Sequence, residues 1–160
     1  MAEHKTNALR ILDKAKIPYQ IYVYDNEDGK IHGAAVAEKI GKRPETVFKT
    51  LVAHQGANLF VFVIPVAEEL DLKKAARAAD VKKIEMLPVK ELLKWTGYVR
   101  GGCSPIGMKK LYPTFIDNSA TDLQTMIVSA GKIGLQLELE PQQLADQISA
   151  RFTSLLRTEE

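Results

Sequence analysis

A lysine interrupts the apolar run TVFKTLV at position 49. In a strand, alternate residues share a face, so Lys49 points along the same surface as Val47 and Leu51. An ammonium there has two uses. It can guard a sheet edge or carry its head out to water, or it can face a ligand, and the residues alone leave both readings open. A second unusual stretch is YVRGGCSPIG, residues 98–107, with three glycines and one proline in ten positions. Glycines let backbone N–H groups approach a bound group closely, and proline stiffens the loop. Such amides can hold a carbonyl oxygen or a phosphate, although a plain turn between two elements has the same composition. The third is SAGKIG, residues 129–134, where Ser129 falls at the end of a strand and can offer its hydroxyl to a ligand. Good turn chemistry explains it equally well.

Cys103 invites a nucleophile reading, but a catalytic thiol needs a base or an electropositive setting, and no histidine lies near it in sequence. It reads as a semi-buried, inert thiol. His4, His32 and His54 are scattered, so no Cys/His spacing resembles a metal site, and neither metal nor other cofactor is expected. There is no P-loop, no GxGxxG after a strand and no nucleophile elbow. A net charge of +2 is too weak to require nucleic acid and does not exclude it. No apolar run approaches the roughly 20 residues of a membrane span. The charge-interrupted N-terminus lacks the pattern of a signal peptide, so a cytoplasmic location is expected.

The elements that position these residues follow from periodicity. Thr6 caps a helix that turns Leu9, Leu12 and Ile17 inward before Pro18, and YQIYVY alternates as a strand. Ala35, Val36 and Ile40 ahead of Gly41 form a short helix. Thr46–Ala53 and Leu59–Pro65 read as a hairpin around the five-residue loop HQGAN. Asp71 caps LKKAARAA, and Pro88 starts a helix with Val89, Leu92 and Leu93 inward and Gly97 behind it. Strands resume at 114–117 and 124–128, and SAGKIG turns the latter into Leu135–Leu139. Pro141 then opens a C-terminal helix burying Leu144, Ile148, Phe152 and Leu155. Hairpins without a βαβ repeat predict an α+β fold, and 160 residues predict one domain, residues 1–160.

The order KTL, TGYVRGGCSPIG, VSAGKIGLQLEL resembles the YbaK/EbsC family of Cys-tRNA(Pro) deacylases, and more loosely the editing domain inserted in bacterial prolyl-tRNA synthetases. The similarity runs from about Leu9 to Phe152. It implies a curved mixed sheet flanked by helices. It also implies that Lys49 engages the 3′ end of tRNA, and that the loop containing Gly101, Gly102, Ser104, Pro105 and Gly107 brings its amides to the scissile ester. Ser129, Gly131 and Tyr24 match substrate-binding positions. Gln136 stands where some members carry aspartate, and an amide cannot hold a negative charge against an aminoacyl ammonium. The implied activity is removal of cysteine from mischarged tRNA(Pro), with the substrate thiol attacking its own carbonyl. The implied partners are the aminoacyl-tRNA 3′ end and prolyl-tRNA synthetase, with no DNA and no membrane. A deacylase for alanine or serine and a non-catalytic tRNA-binding regulator are the alternatives.

Overall fold

Strand β3 (Asn58–Pro65) is the spine of the molecule, and its side chains sort strictly by parity. Leu59, Val61 and Val63 enter one core, while Phe60, Phe62 and Ile64 enter another on the opposite face. A strand buried on both faces reads as a continuous apolar run. The computed structural model describes residues 5–158, so His4 lies outside the described residues.

β2 (Phe48–Gln55) pairs antiparallel with β3 from Phe48 opposite Pro65 to Gln55 opposite Asn58. The expected five-residue loop is therefore only Gly56 and Ala57. His54, Gln55 and Asn58 join the ladder because Gly56 takes a left-handed φ of +59° that closes the turn tightly. Beyond β3 lie β5 (Thr114–Asp117) and β8 (Arg151–Thr153), both parallel, and on the other side the short β4 (Glu85–Met86) covers only Ala53 and His54 of β2. A second, antiparallel sheet has the order β1 (Gln20–Val23), β7 (Leu135–Leu139), β6 (Met126–Lys132). Among the described residues, one parallel bridge, from Val47 to Ile127, links the two sheets.

Five helices flank them. α1 (Asn7–Lys14) is capped by Thr6, whose Oγ1 accepts the Leu9 N–H at 3.2 Å and donates to the Ala130 carbonyl at 2.6 Å. One residue thus starts a helix and ties it to β6. α2 is Gly33–Lys39, and α3 (Leu72–Ala78) carries the expected Asp71 cap. α4 (Val89–Thr96) follows Pro88, but Val89 and Leu93 are 56% and 55% exposed, so they do not face inward. Leu92, Trp95 and Thr96 are the side that packs. α5 (Pro141–Ile148) stops at Ser149, which adopts a left-handed φ of +55°. Phe152 and Leu155 are therefore not helical; Phe152 lies in β8 and Leu155 fills the core beneath α3. The described residues form a single α+β unit of two sheets and five α-helices.

Asp117 fastens the C-terminal segment. Its buried carboxylate accepts the Ser119 N–H on one oxygen and the Leu155 N–H on the other, both at 3.0 Å. Asp117→Ala strands both donors, and an unsatisfied buried group costs about 1–3 kcal/mol. Urea denaturation of this variant should show a loss of about 2 kcal/mol or more; a loss below about 0.5 kcal/mol would mean the carboxylate carries no such load.

Candidate active site

The unpaired stretch of β2 borders a small cleft of about 100 Å³, lined by Phe48, Lys49 and Thr50 on one wall and by Ser129 and Gln136 on another. Gly101 and Cys103 close a third side, and Ile31, Gly33, Val36 and Val66 complete the lining. Ser129 and Gln136 face each other across the β6–β7 ladder, and this pairing puts both side chains on one face of the sheet.

Glycine permits the loop to reach that wall. A Cβ on Gly102 would stand 2.9 Å from the Ile133 nitrogen and 3.1 Å from the Lys132 carbonyl carbon, so the loop lies directly on the β6 backbone. Gly101 has a φ of +86°, and a Cβ there would meet Ile31 Cδ1 at 2.7 Å. The surface that receives them is a β-bulge. β6 continues through Lys132 with a register shift between Ser129 and Lys132, and only Ile133 and Gly134 form the turn. SAGKIG is thus mostly strand, and Ser129 sits inside the ladder, accepting the Gly131 N–H at 3.2 Å on its Oγ. The glycine that suggested a turn instead makes the bulge.

Lys49 is half-buried, and desolvation holds its ammonium below the usual lysine range, partly offset by the nearby charges of Glu69 and Glu68. Thr50 Oγ1 and Gln136 Oε1 are buried and have no hydrogen-bond partner in the protein. Orphaned polar atoms in a cleft are the mark of a site that expects a polar ligand. Two backbone donors belong to residues that line the same cleft. The Gly102 N–H is committed to the Val99 carbonyl at 2.9 Å, whereas the N–H groups of Gly101 and Cys103 donate to no protein acceptor among the described residues. The Cys103 thiol is 7% exposed, and burial pushes it up to about 12. Among the described residues, no group of three His, Cys, Asp or Glu converges to hold a metal. None of the described helices is long and apolar enough to cross a membrane.

The structure brings Lys49, Gly101, Ser129 and Gln136 together at this cleft. The other expected residues stand behind or beside it. Gly102 is the backbone contact just described, and Gly131 lies against the Tyr98 ring, with a φ of +101°. Ser104 is fully buried, with its Oγ accepting the Ile106 N–H at 3.2 Å. Pro105 and Gly107 line a separate hollow with Ile11 and Tyr112. Tyr24 is buried beneath the Lys39 ammonium, 5.8 Å from its ring centroid, and its hydroxyl is also without a partner. Sequence reasoning missed Thr50, because a threonine in a strand breaks no rule. It also missed Gly33, where a Cβ would fall 2.4 Å from Val66 Cβ; one glycine at the first position of a helix gives no signal of such an approach.

Three comparisons bear on this arrangement. The chain is 42% identical over 158 residues to EbsC of Enterococcus faecalis, provisionally named a Cys-tRNA(Pro)/Cys-tRNA(Cys) deacylase, covering 98% of this chain and 96% of that one. Its fold matches a crystal structure of a hypothetical protein, with a TM-score of 0.86 at 18% identity over 95% of this chain and 100% of the other. It also matches a protein provisionally described as a trans-editing enzyme for prolyl tRNA synthetase, with a TM-score of 0.82 at 17% identity over 97% and 100%. Residues 31–147, which include Lys49, the glycine loop, Ser129 and Gln136, match the family of the aminoacyl-tRNA editing domain, and the chain belongs to that family.

Proposed function

We propose that this protein removes cysteine from mischarged tRNA(Pro). The observation that carries the reading is a cleft with a desolvated cation, two orphaned buried polar atoms and two free amides, but no activated nucleophile. Such a site positions and polarises an ester that is already reactive, which suits a substrate that brings its own nucleophile. The name of the Enterococcus faecalis relative supports the choice of cysteine.

In this mechanism the cysteinyl thiol attacks its own ester carbonyl. A carbon–sulfur bond forms, the carbon–oxygen bond to the ribose breaks, and the thiol proton passes to the departing ribose hydroxyl. The free Gly101 and Cys103 amides receive the developing oxyanion, with Gly102 seating the loop that presents them. Ser129 and Gln136 orient the aminoacyl group, and Lys49 holds the terminal nucleotide through its phosphate. Ser104, Pro105, Gly107, Gly131 and Tyr24 act by shaping the loop and the bulge. A net charge of +2 gives little hold on a whole tRNA. Prolyl-tRNA synthetase is the partner that would supply tRNA selection, in keeping with the description of the trans-editing structural relative.

Three outcomes test this. Cys-tRNA(Pro) should be deacylated much faster than Pro-tRNA(Pro), with a thiolactone trappable as the first product; equal rates refute thiol assistance. Cys103→Ala should keep most activity, since a thiol at about 12 is not a nucleophile near neutrality; a loss on the order of 10³-fold with an intact circular dichroism spectrum would mean covalent catalysis.

Lys49→Met separates function from stability. Burial lowers the folded pKa of Lys49 below its value in the unfolded chain, so the charged form costs stability. That cost is complete below the folded pKa and disappears as pH rises past 10.5. At pH 7 the variant should therefore melt no lower than the parent. Its deacylation should fall by roughly 10- to 150-fold, the equivalent of about 1.5–3 kcal/mol for one charge-assisted contact. Unchanged activity in the stable variant would remove Lys49 from the site.

A further inference from the structure

The mouth of the cleft is electrically two-sided. On one side Glu68 and Glu69 follow the end of β3 and act on Lys49. On the other, three exposed cations occupy adjoining segments: Lys30 immediately before Ile31, Arg100 immediately before Gly101, and Lys132 immediately before Ile133.

The segments meet in space. A Cβ on Gly101 would touch Ile31 Cδ1 at 2.7 Å and Ile133 Cγ1 at 3.5 Å, and one on Gly102 would stand 3.2 Å from Lys132 Cα. Ile31 and Gly101 themselves line the cleft. None of the three cations pairs with a carboxylate among the described residues, where the ion pairs use Lys5, Lys39, Lys42, Arg43 and Arg157. The nearest acid in sequence, Asp28, is taken by the Lys39 ammonium at 2.8 Å and by the Lys30 backbone N–H at 2.9 Å. The backbone segments that carry these three cations thus meet beside the cleft, and none of the three forms an ion pair among the described residues.

We infer that Lys30, Arg100 and Lys132 form a phosphate-binding rim that grips the backbone of the single-stranded RNA 3′ end leading into the cleft. This rests on reading the cleft as a deacylase site and assigns the direction in which the substrate lies. The RNA strand leaves the cleft over the cationic rim. An ordinary solvated lysine face such as Lys73 and Arg77 on α3 has no such relation to the cleft, and it provides the control.

The test is binding of an uncharged acceptor minihelix ending in CCA, followed by fluorescence anisotropy across a range of salt. The variant combining Lys30→Gln, Arg100→Gln and Lys132→Gln should weaken binding about tenfold or more. It should also reduce the magnitude of the log–log salt slope by about 2, since each phosphate contact to single-stranded RNA contributes roughly 0.7. Combining Lys73→Gln and Arg77→Gln on α3 with Lys83→Gln at an exposed position just after it should change neither quantity, and Lys30→Arg with Lys132→Arg should retain binding. An unchanged slope in the rim variant overturns the proposal, as does an equal loss in the control. The minihelix carries no ester, so this result stands apart from the chemistry. The deacylase reading fails on different grounds, namely no release of amino acid from any charged tRNA by the parent protein.

Discussion

The cleft depends on one contact between two stretches of backbone. Gly102 lies on the main chain of Lys132 and Ile133 with no room for even a methyl group between them. From this contact the loop acquires its height above the sheet, and Gly101 and Cys103 their position at the cleft. The bulge in β6 supplies the receiving surface, and Gly131 lets that bulge settle against the Tyr98 ring. Thr6 closes the arrangement from behind by hydrogen bonding to the Ala130 carbonyl. Residues more than a hundred positions apart are thereby held to the tolerance of a van der Waals contact. A loop rich in glycine is otherwise expensive to order, so this tight seating is what converts conformational freedom into a defined site.

The cleft is also where the molecule gives up stability. A desolvated ammonium, an orphaned threonine hydroxyl and an orphaned glutamine oxygen lie within one small volume. Each is unfavourable while it lacks a partner and is relieved by a ligand that supplies one. Two separate apolar cores on the faces of β3 offset these local costs. The five-stranded sheet tolerates these costs at its margin because its central strand β3 is buried on both sides. Local rules are broken at the margin, where β2 lacks a strand neighbour.

How far the sequence discloses this depends on the range of the interaction concerned. Thr6 and Asp71 announce their helices because a cap is a contact over two or three residues. The β2–β3 hairpin is equally local, although its loop is shorter than HQGAN suggests because the outer loop residues prefer to complete the ladder. Lys49 is visible as a charge in an apolar strand, but the residue beside it, Thr50, is not. Its significance lies in a hydroxyl without a partner, which only packing can create. Gln136 is legible through family resemblance and not through periodicity. α4 has an apolar stripe, yet Val89 and Leu93 remain in solvent because nothing in the tertiary structure covers that side. The C-terminal helix ends early at Ser149, a non-glycine in a left-handed conformation, and the parallel pairing of β8 with β5 joins segments that no local pattern connects.

The burial of Cys103 has a consequence for redox chemistry. A cleft with a thiol in its wall would ordinarily be open to attack on a small disulfide that enters it, and each such exchange would release one small thiol and arrest the protein as a mixed disulfide. Exchange proceeds through the thiolate, so its rate follows the ionised fraction. With burial pushing the Cys103 thiol up to about 12, that fraction at neutral pH lies far below the several per cent of an ordinary exposed cysteine. The same desolvation that argues against Cys103 as a nucleophile therefore insulates this wall of the cleft from capture by small disulfides.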